Sequence, residues 1–248
     1  MNTDVFFFSA TGNSFWAAGR IAEALRGRLL PITGAEPVSD ASRVIIVSPI
    51  YALGLPVPTA DFIAELKTEA PVWVVLTYGG AVMGADRAAF DAVTAAGLEC
   101  RGVFTLKMVE CFTVFMNVPR SHVKKVCKKA PEKLGAIISA IREGTPAPPR
   151  RKKGGRADTP QMREAWQKMG ARLHTDDSCT RCGKCARICP AGNITMGENG
   201  PVHGDKCIAC LACYHRCPAH AVRFGRFKKK FRYFCPLADE GEMEKARG

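Results

Sequence analysis

The sequence predicts a doubly wound, five-stranded parallel α/β sheet followed by a small α+β domain rich in cysteine. Residues 1–145 alternate short apolar runs with stretches of helical periodicity. Residues 146–160, PAPPRRKKGGRADTP, are rich in proline, glycine and positive charge and carry no periodicity, as in a linker. Eight of the 12 cysteines then fall between residues 179 and 217.

The first strand, expected at 4–9, contains Val5-Phe6-Phe7-Phe8. A run without polar alternation fits a strand covered on both faces, as in a parallel sheet. Beyond Gly12 the pattern turns helical: Phe15, Ala18, Ile21, Ala22 and Leu25 share one face over 13–26, and Gly27 is placed to end the helix. The same reasoning puts strands at 29–33, 43–48, 72–78 and 98–106, and helices at 58–68, 84–96 and 123–143. Ligands in such sheets bind beyond the carboxyl ends of the strands, where the strand order reverses. The loops there are 9–14, 48–56 and 77–84, which carry glycine, hydroxyl groups and aromatics.

Strand, polar loop and helix N-terminus form a geometry that holds phosphate, because unpaired N–H groups and the helix dipole favour an anion. The loop Ser9-Ala10-Thr11-Gly12-Asn13-Ser14 has neither the GK[ST] of a triphosphate loop nor a G-x-G-x-x-G fingerprint. Three hydroxyls, an amide and a glycine without a cation suit a single terminal phosphate. The competing reading is a plain turn in which Asn13 or Ser14 caps the helix.

The cysteines read CTRCGKCARICP at 179–190 and CIACLACYHRCP at 207–218, each a C-x2-C-x2-C-x3-C-P run. Where two such runs occur, the fourth cysteine of each ligates the other cluster. Cys179, Cys182, Cys185 and Cys217 are therefore expected at one [4Fe-4S] cluster, and Cys207, Cys210, Cys213 and Cys189 at a second. Structural zinc also uses C-x2-C pairs, but accounts for neither the third cysteine at the same step nor the C-P ending. Cys100, Cys111, Cys127 and Cys235 fit no ligand spacing and read as ordinary thiols, with Cys111 in a segment that could pass the bound cofactor. The five histidines form no motif.

On these motifs the first half resembles the flavodoxins, and residues 174–226 resemble a bacterial two-cluster ferredoxin. The whole chain resembles the flavodoxin–ferredoxin fusions, or EFR-type ferredoxins, found mainly in anaerobes. The resemblance implies a flavodoxin-like FMN domain at 1–145, the linker at 146–160, a ferredoxin-like domain with a leading helix at 161–226, and a basic tail at 227–248. It implies that Ser9, Thr11, Gly12, Asn13 and Ser14 hold the FMN phosphate. Pro49, Ile50, Tyr51, Ala52, Leu53 and Gly54, with Thr77, Tyr78, Gly79 and Gly80, would flank the isoalloxazine ring, Tyr51 and Tyr78 being the aromatic candidates. Met162, Trp166, Met169 and Leu173 form a stripe on a helix expected at 160–173, read as packing between domains.

The formal net charge is +13. Eight thiolates, two cluster cores and an FMN phosphate would bring it to about +7. Positive charge gathers at Arg120 with Lys124, Lys125, Lys128 and Lys129, in the linker, and in RFGRFKKKFRY at 223–233. No nucleic-acid motif accompanies it, so an acidic redox partner such as a ferredoxin-type donor, or an anionic small substrate, is expected. No apolar run reaches membrane-spanning length and no signal-peptide pattern opens the chain, so a cytoplasmic protein is expected. Two functions remain open: an FMN- and [4Fe-4S]-dependent reductase of a small substrate, or an electron carrier between proteins without a substrate site. The residues between the ligands suggest a direction of flow. Thr180, Arg181, Gly183 and Lys184 suit an exposed entry cluster; Ile208, Ala209, Leu211 and Ala212 suit a buried relay.

Overall fold

A computed structural model describes residues 2–149, 160–227 and 231–247. Most of the expected linker and the lysines at 228–230 lie outside the described residues.

Strands β1 (Thr3–Phe7), β2 (Arg28–Pro31), β3 (Arg43–Pro49), β4 (Val72–Tyr78) and β5 (Cys100–Lys107) form one parallel sheet in the order β2-β1-β3-β4-β5. That order is the flavodoxin-like doubly wound one, with its switch point between β1 and β3. Alternate residues of each strand feed two cores, which is why the strands read as continuous apolar runs. Val5, Phe7, Ile45, Val47 and Val75 pack beneath α1 (Asn13–Leu25) and α4 (Arg120–Arg142). Phe6, Phe8, Val44, Ile46, Val74 and Leu76 pack beneath α2 (Val57–Glu65) and α3 (Ala85–Ala95).

The end of α1 differs from expectation in one detail. Arg26, at φ +52°, takes the left-handed cap position, and its neighbour Gly27 is needed for space. A Cβ on Gly27 would meet the Thr3 carbonyl oxygen at 2.6 Å, so only glycine lets the chain pass β1. Helix α4 begins at Arg120, earlier than its apolar pattern indicates, and its first turns carry the exposed basic cluster.

Helix α5 (Pro160–Gly170) ends before the expected 173, because Leu173 already starts a strand. That strand, β6 (Leu173–Thr175), pairs antiparallel with β9 (Val222–Phe224). Between them lie α6 (Lys184–Arg187), the hairpin β7 (Ile194–Gly197)–β8 (Gly200–His203), and α7 (Ala212–Arg216). Leu173, Ile194, Leu211, Tyr214, Val222 and Phe224 form this unit's own core. Its other face joins the α/β core through Ile188, Ile208, Cys210 and Ala212.

The segment read as a basic tail is packed over 231–247. Tyr233, Cys235 and Met243 belong to the core beneath α1, and α8 (Glu240–Lys245) ends the described chain. The sequence pattern hid this because the apolar residues are spaced by neither strand nor helix period.

Candidate functional site

The loop after β1 is built to leave a helix N-terminus open. Gly12, at φ +89°, caps α1 without a side-chain hydrogen bond, and no acidic residue stands in the first turn. Neither Asn13 nor Ser14 acts as the cap, so the plain-turn reading does not describe the geometry. The loop's polar side chains are nonetheless buried and partnered. Ser9 Oγ accepts from the Gly12 N–H at 3.2 Å. Ser14 Oγ pairs with Thr77 Oγ1 at 2.8 Å, joining the loops of β1 and β4. Thr11 Oγ1 lies 2.8 Å from Cys111 Sγ. The Asn13 amide donates to the Val109 carbonyl at 3.0 Å and accepts from the Tyr233 hydroxyl at 2.7 Å.

The other two loops are shaped by backbone rather than by side chains. Ala52 and Leu53 both sit at positive φ, within a tight turn closed by reciprocal Tyr51–Gly54 hydrogen bonds of 3.0 and 2.9 Å. Gly79 is required because a Cβ there would lie 2.2 Å from the Glu110 Cα; the segment after β5 crosses directly over it.

These loops surround a cavity of about 600 Å³. Of the residues expected to hold cofactor, Ser9, Thr11, Asn13, Ser14, Pro49, Ile50, Tyr51, Ala52, Leu53, Thr77, Tyr78, Gly79 and Gly80 line it. Gly12 and Gly54 do not. Gly12 faces the C-terminal segment, where a Cβ would lie 2.9 Å from Phe234 Cζ, and Gly54 closes the turn behind Tyr51.

Of the remaining wall, only the segment carrying Cys111 was read from the sequence as passing near the site. Val109, Glu110, Cys111, Phe112 and Met116 come from the segment after β5, Met162, Trp166 and Met169 from α5, and Ala209, Cys210 and Leu211 from the second cysteine run. The stripe on α5 packs between the units as expected, but it also faces the cavity. Trp166 stacks on Tyr51 with centroids 6.3 Å apart and planes 28° from parallel, and its Nε1–H donates to the Ile208 carbonyl at 3.1 Å. An apolar stripe immediately before a ligand run was the available signal. Cys111 does reach the cavity; burial pushes its thiol up to about 12, so it stands there neutral.

The cysteines line two further cavities. Cys179, Cys182, Cys185 and Cys217 line one; Cys189, Cys207, Cys210 and Cys213 line the other. Each set takes three thiols from one run and the fourth from its partner run. Both arms curl the same way, with left-handed residues at matching positions, Arg181 and Gly183 in the first and Ala209 and Leu211 in the second. Backbone N–H groups point at the sulfurs: Arg181 to Cys179 Sγ at 3.3 Å, Asn193 to Cys189 Sγ at 3.3 Å, and Ala221 to Cys217 Sγ at 3.2 Å. Among the described residues, no three His, Cys, Asp or Glu side chains stand close enough to hold a single metal ion.

The two arms meet different surroundings. In the first, Arg181 and Cys182 are exposed, whereas Ala209, Leu211 and Ala212 of the second are each 1% exposed. Cys210 and Leu211 line both the second cysteine cavity and the large cavity. Lys184 is drawn inward, its Nζ 2.8 Å from Glu240 on α8.

Residues 172–224 match the family model of the 4Fe-4S dicluster domain. No curated protein matches the chain. Among solved structures the chain is similar to rubredoxin oxygen:oxidoreductase from the anaerobe Desulfovibrio gigas, at 17% identity and a TM-score of 0.40. That match covers 59% of this chain and 37% of the Desulfovibrio chain. It is also similar to the flavodoxin of Streptococcus pneumonia TIGR4, at 19% identity and a TM-score of 0.36, over 55% of this chain and 99% of that one. The flavodoxin of Megasphaera elsdenii matches at 14% identity and a TM-score of 0.40, over 55% and 98%. The fold itself rests on strand order and register. Among the described residues, no helix is long and apolar enough to cross a membrane.

Proposed function

We propose that this chain, a flavodoxin-like α/β fold joined to a 4Fe-4S dicluster domain, is an iron–sulfur flavoprotein that passes electrons from two [4Fe-4S] clusters to FMN for the reduction of a small substrate. The observation that carries the reading is the shared wall: Cys210 and Leu211 face the second cysteine cavity on one side and the large cavity on the other. A donor site and an acceptor site separated by one layer of side chains suit electron transfer.

The residues fit both groups. Four thiols lining each cavity, with backbone N–H groups aimed at sulfur, suit a cluster core better than a tetrahedral zinc ion. The open N-terminus of α1, with Ser9 and Thr11 beside it, suits a terminal phosphate. When bound, FMN would collect single electrons and deliver them in pairs. Tyr51 and Trp166 offer aromatic surface for a planar ring, and Met162 and Met169 of α5 give that side of the cavity an apolar lining. Trp166, through its bond to the Ile208 carbonyl, holds α5 against the buried arm.

The size and apolar lining of the large cavity favour a reductase over a pure carrier, because a substrate would share the space beside the ring. Glu110 is the one charged side chain among its described lining residues, which favours an uncharged substrate over an anionic one. The exposed basic residues opening α4, and Arg181, leave room for an acidic protein donor.

The test is anaerobic reconstitution of the full chain. About eight iron and eight sulfide per chain, with acid-released flavin that runs as FMN, are expected. Reduced protein should then be reoxidised by neutral small acceptors. Zinc without sulfide, or released FAD, overturns the reading.

A further inference from the structure

The C-terminal segment crosses the outside of the phosphate loop and returns to the cluster unit. The Cys235 N–H donates to the Thr11 carbonyl at 2.8 Å, and the Tyr233 hydroxyl donates to Asn13 Oδ1 at 2.7 Å. The Tyr233 N–H donates to His215 Nδ1 at 3.1 Å, which leaves the ring proton on Nε2. That Nε2–H donates to the Cys111 carbonyl at 2.6 Å, and Cys111 Sγ meets the Thr11 hydroxyl at 2.8 Å. The hydrogen bonds thus close a ring from the phosphate loop through Cys111, His215 and Tyr233 back to the loop. His215 is 5% exposed and sits on α7 between Cys213 and Cys217, one thiol from each cysteine cavity. Arg216, next to it, is held by Glu240 at 2.7 Å and by Glu244, both on α8.

We propose that Tyr233 and His215 are positioning residues through which α7 and the C-terminal segment hold the phosphate loop, so that FMN binding and cluster retention support each other. The inference rests on the FMN reading above. Asn13 opens α1, whose N–H groups would meet the phosphate, and its amide is oriented by Tyr233 on one side and Val109 on the other. Releasing the amide loosens the first turn. By linkage, a ligand that orders the loop must stabilise whatever the loop orders in return, here α7 and its two flanking thiols. Burial makes the ring matter: unpaired, each of these groups would sit without water, so the bonds form together or fail together.

The test uses the full, cluster-loaded chain and FMN itself. Tyr233→Phe keeps the ring in its core position and removes one donor, and should raise the FMN dissociation constant about tenfold with iron and sulfide content unchanged. In the wild-type protein, FMN should slow amide exchange at residues 231–239 as well as at 9–14, and should slow iron loss to a chelator severalfold. In Tyr233→Phe both remote effects should shrink. A merely structural Tyr233 would lower the melting temperature but leave FMN affinity and the FMN-dependent exchange as they are. Protection of 9–14 with no change at 231–239, or equal FMN affinity in the variant, overturns the proposal while the FMN reading stands. Failure to bind FMN at all overturns both.

Discussion

The two cysteine arms share a motif, a backbone path and a ligand pattern, yet differ in what lies between the cysteines. The first arm spaces its thiols with Thr180, Arg181, Gly183 and Lys184; Arg181 and Cys182 meet solvent. The second spaces them with Ile208, Ala209, Leu211 and Ala212, all buried, and forms part of the large cavity's wall. Cysteine spacing gives the two arms the same cavity-forming path, whereas the residues between the cysteines decide which cavity faces outward and which faces inward. Leu211 makes the point locally. It holds a left-handed φ of +60° where the first arm uses Gly183 at +71°, a conformation that costs a residue with a Cβ roughly 1 kcal/mol. Its side chain lines both the second cysteine cavity and the large one.

The largest effect expected breaks the pairing between the arms. Cys189 is the last cysteine of the first run but lines the second cavity. Cys189→Ser should therefore lose the buried cluster, dropping iron from about eight to about four per chain and leaving the exposed cluster's spectroscopic signal. Cys217→Ser should do the reverse. If each substitution instead destroys the cluster of its own run, the crossed assignment is wrong.

A smaller effect should follow from Gly12, which lies under the C-terminal segment that both arms contact. A Cβ there would press on Phe234 Cζ at 2.9 Å and Cys235 Cβ at 3.1 Å, on a backbone at φ +89°. Gly12→Ala should cost about 2–4 kcal/mol of stability, from the left-handed strain together with overpacking. Chemical denaturation measures it. A cost below about 1 kcal/mol would show that the segment yields freely, and would leave the arms without a common support.

Thr11→Ala should act on FMN rather than on the fold. It removes a hydroxyl beside the proposed phosphate position and the partner of the Cys111 thiol, and should weaken FMN binding by about 1–3 kcal/mol. Cluster content should not change in either arm. Titration of flavin fluorescence checks the first expectation and iron analysis the second.

The sheet, its order of elements and the crossed cysteine sets were legible because each rests on a local pattern: continuous apolar strands, a 3.6-residue helical period, or a fixed cysteine step. The strand, loop and helix start at 4–26, where a phosphate is expected, were legible for the same reason. What the sequence hid depends on contacts between distant segments. The glycine at 12 was expected to serve a phosphate loop, and its space is limited by Phe234, more than two hundred residues away. Trp166 could be placed on an apolar helix face, but not against Tyr51. His215 belonged to no motif, since its partners are the Cys111 carbonyl and the Tyr233 N–H, which no side-chain pattern announces. Lys184 read as a free surface cation, and its two glutamate partners lie on a helix the sequence scarcely indicated.

That last difference reshapes the smallest expected effect, the docking of an acidic donor at the exposed arm. Lys184 is 25% exposed and its ammonium is engaged by Glu240 and Glu244, so replacing it would disturb α8 before it disturbed a partner. Arg181 is the cleaner probe: it is exposed and lies between two thiols of the outward cavity. Arg181→Glu should slow reduction by an acidic protein donor about two- to fivefold at low salt, because a reversed charge at the rim acts mainly on the encounter rate. The defect should vanish as salt shortens the screening length to a few ångströms. Reduction by a small neutral donor should stay the same. Slowing that is equal for both donors and indifferent to salt would mean that Arg181 tunes the cluster, and that the outward arm is exposed without being a dock.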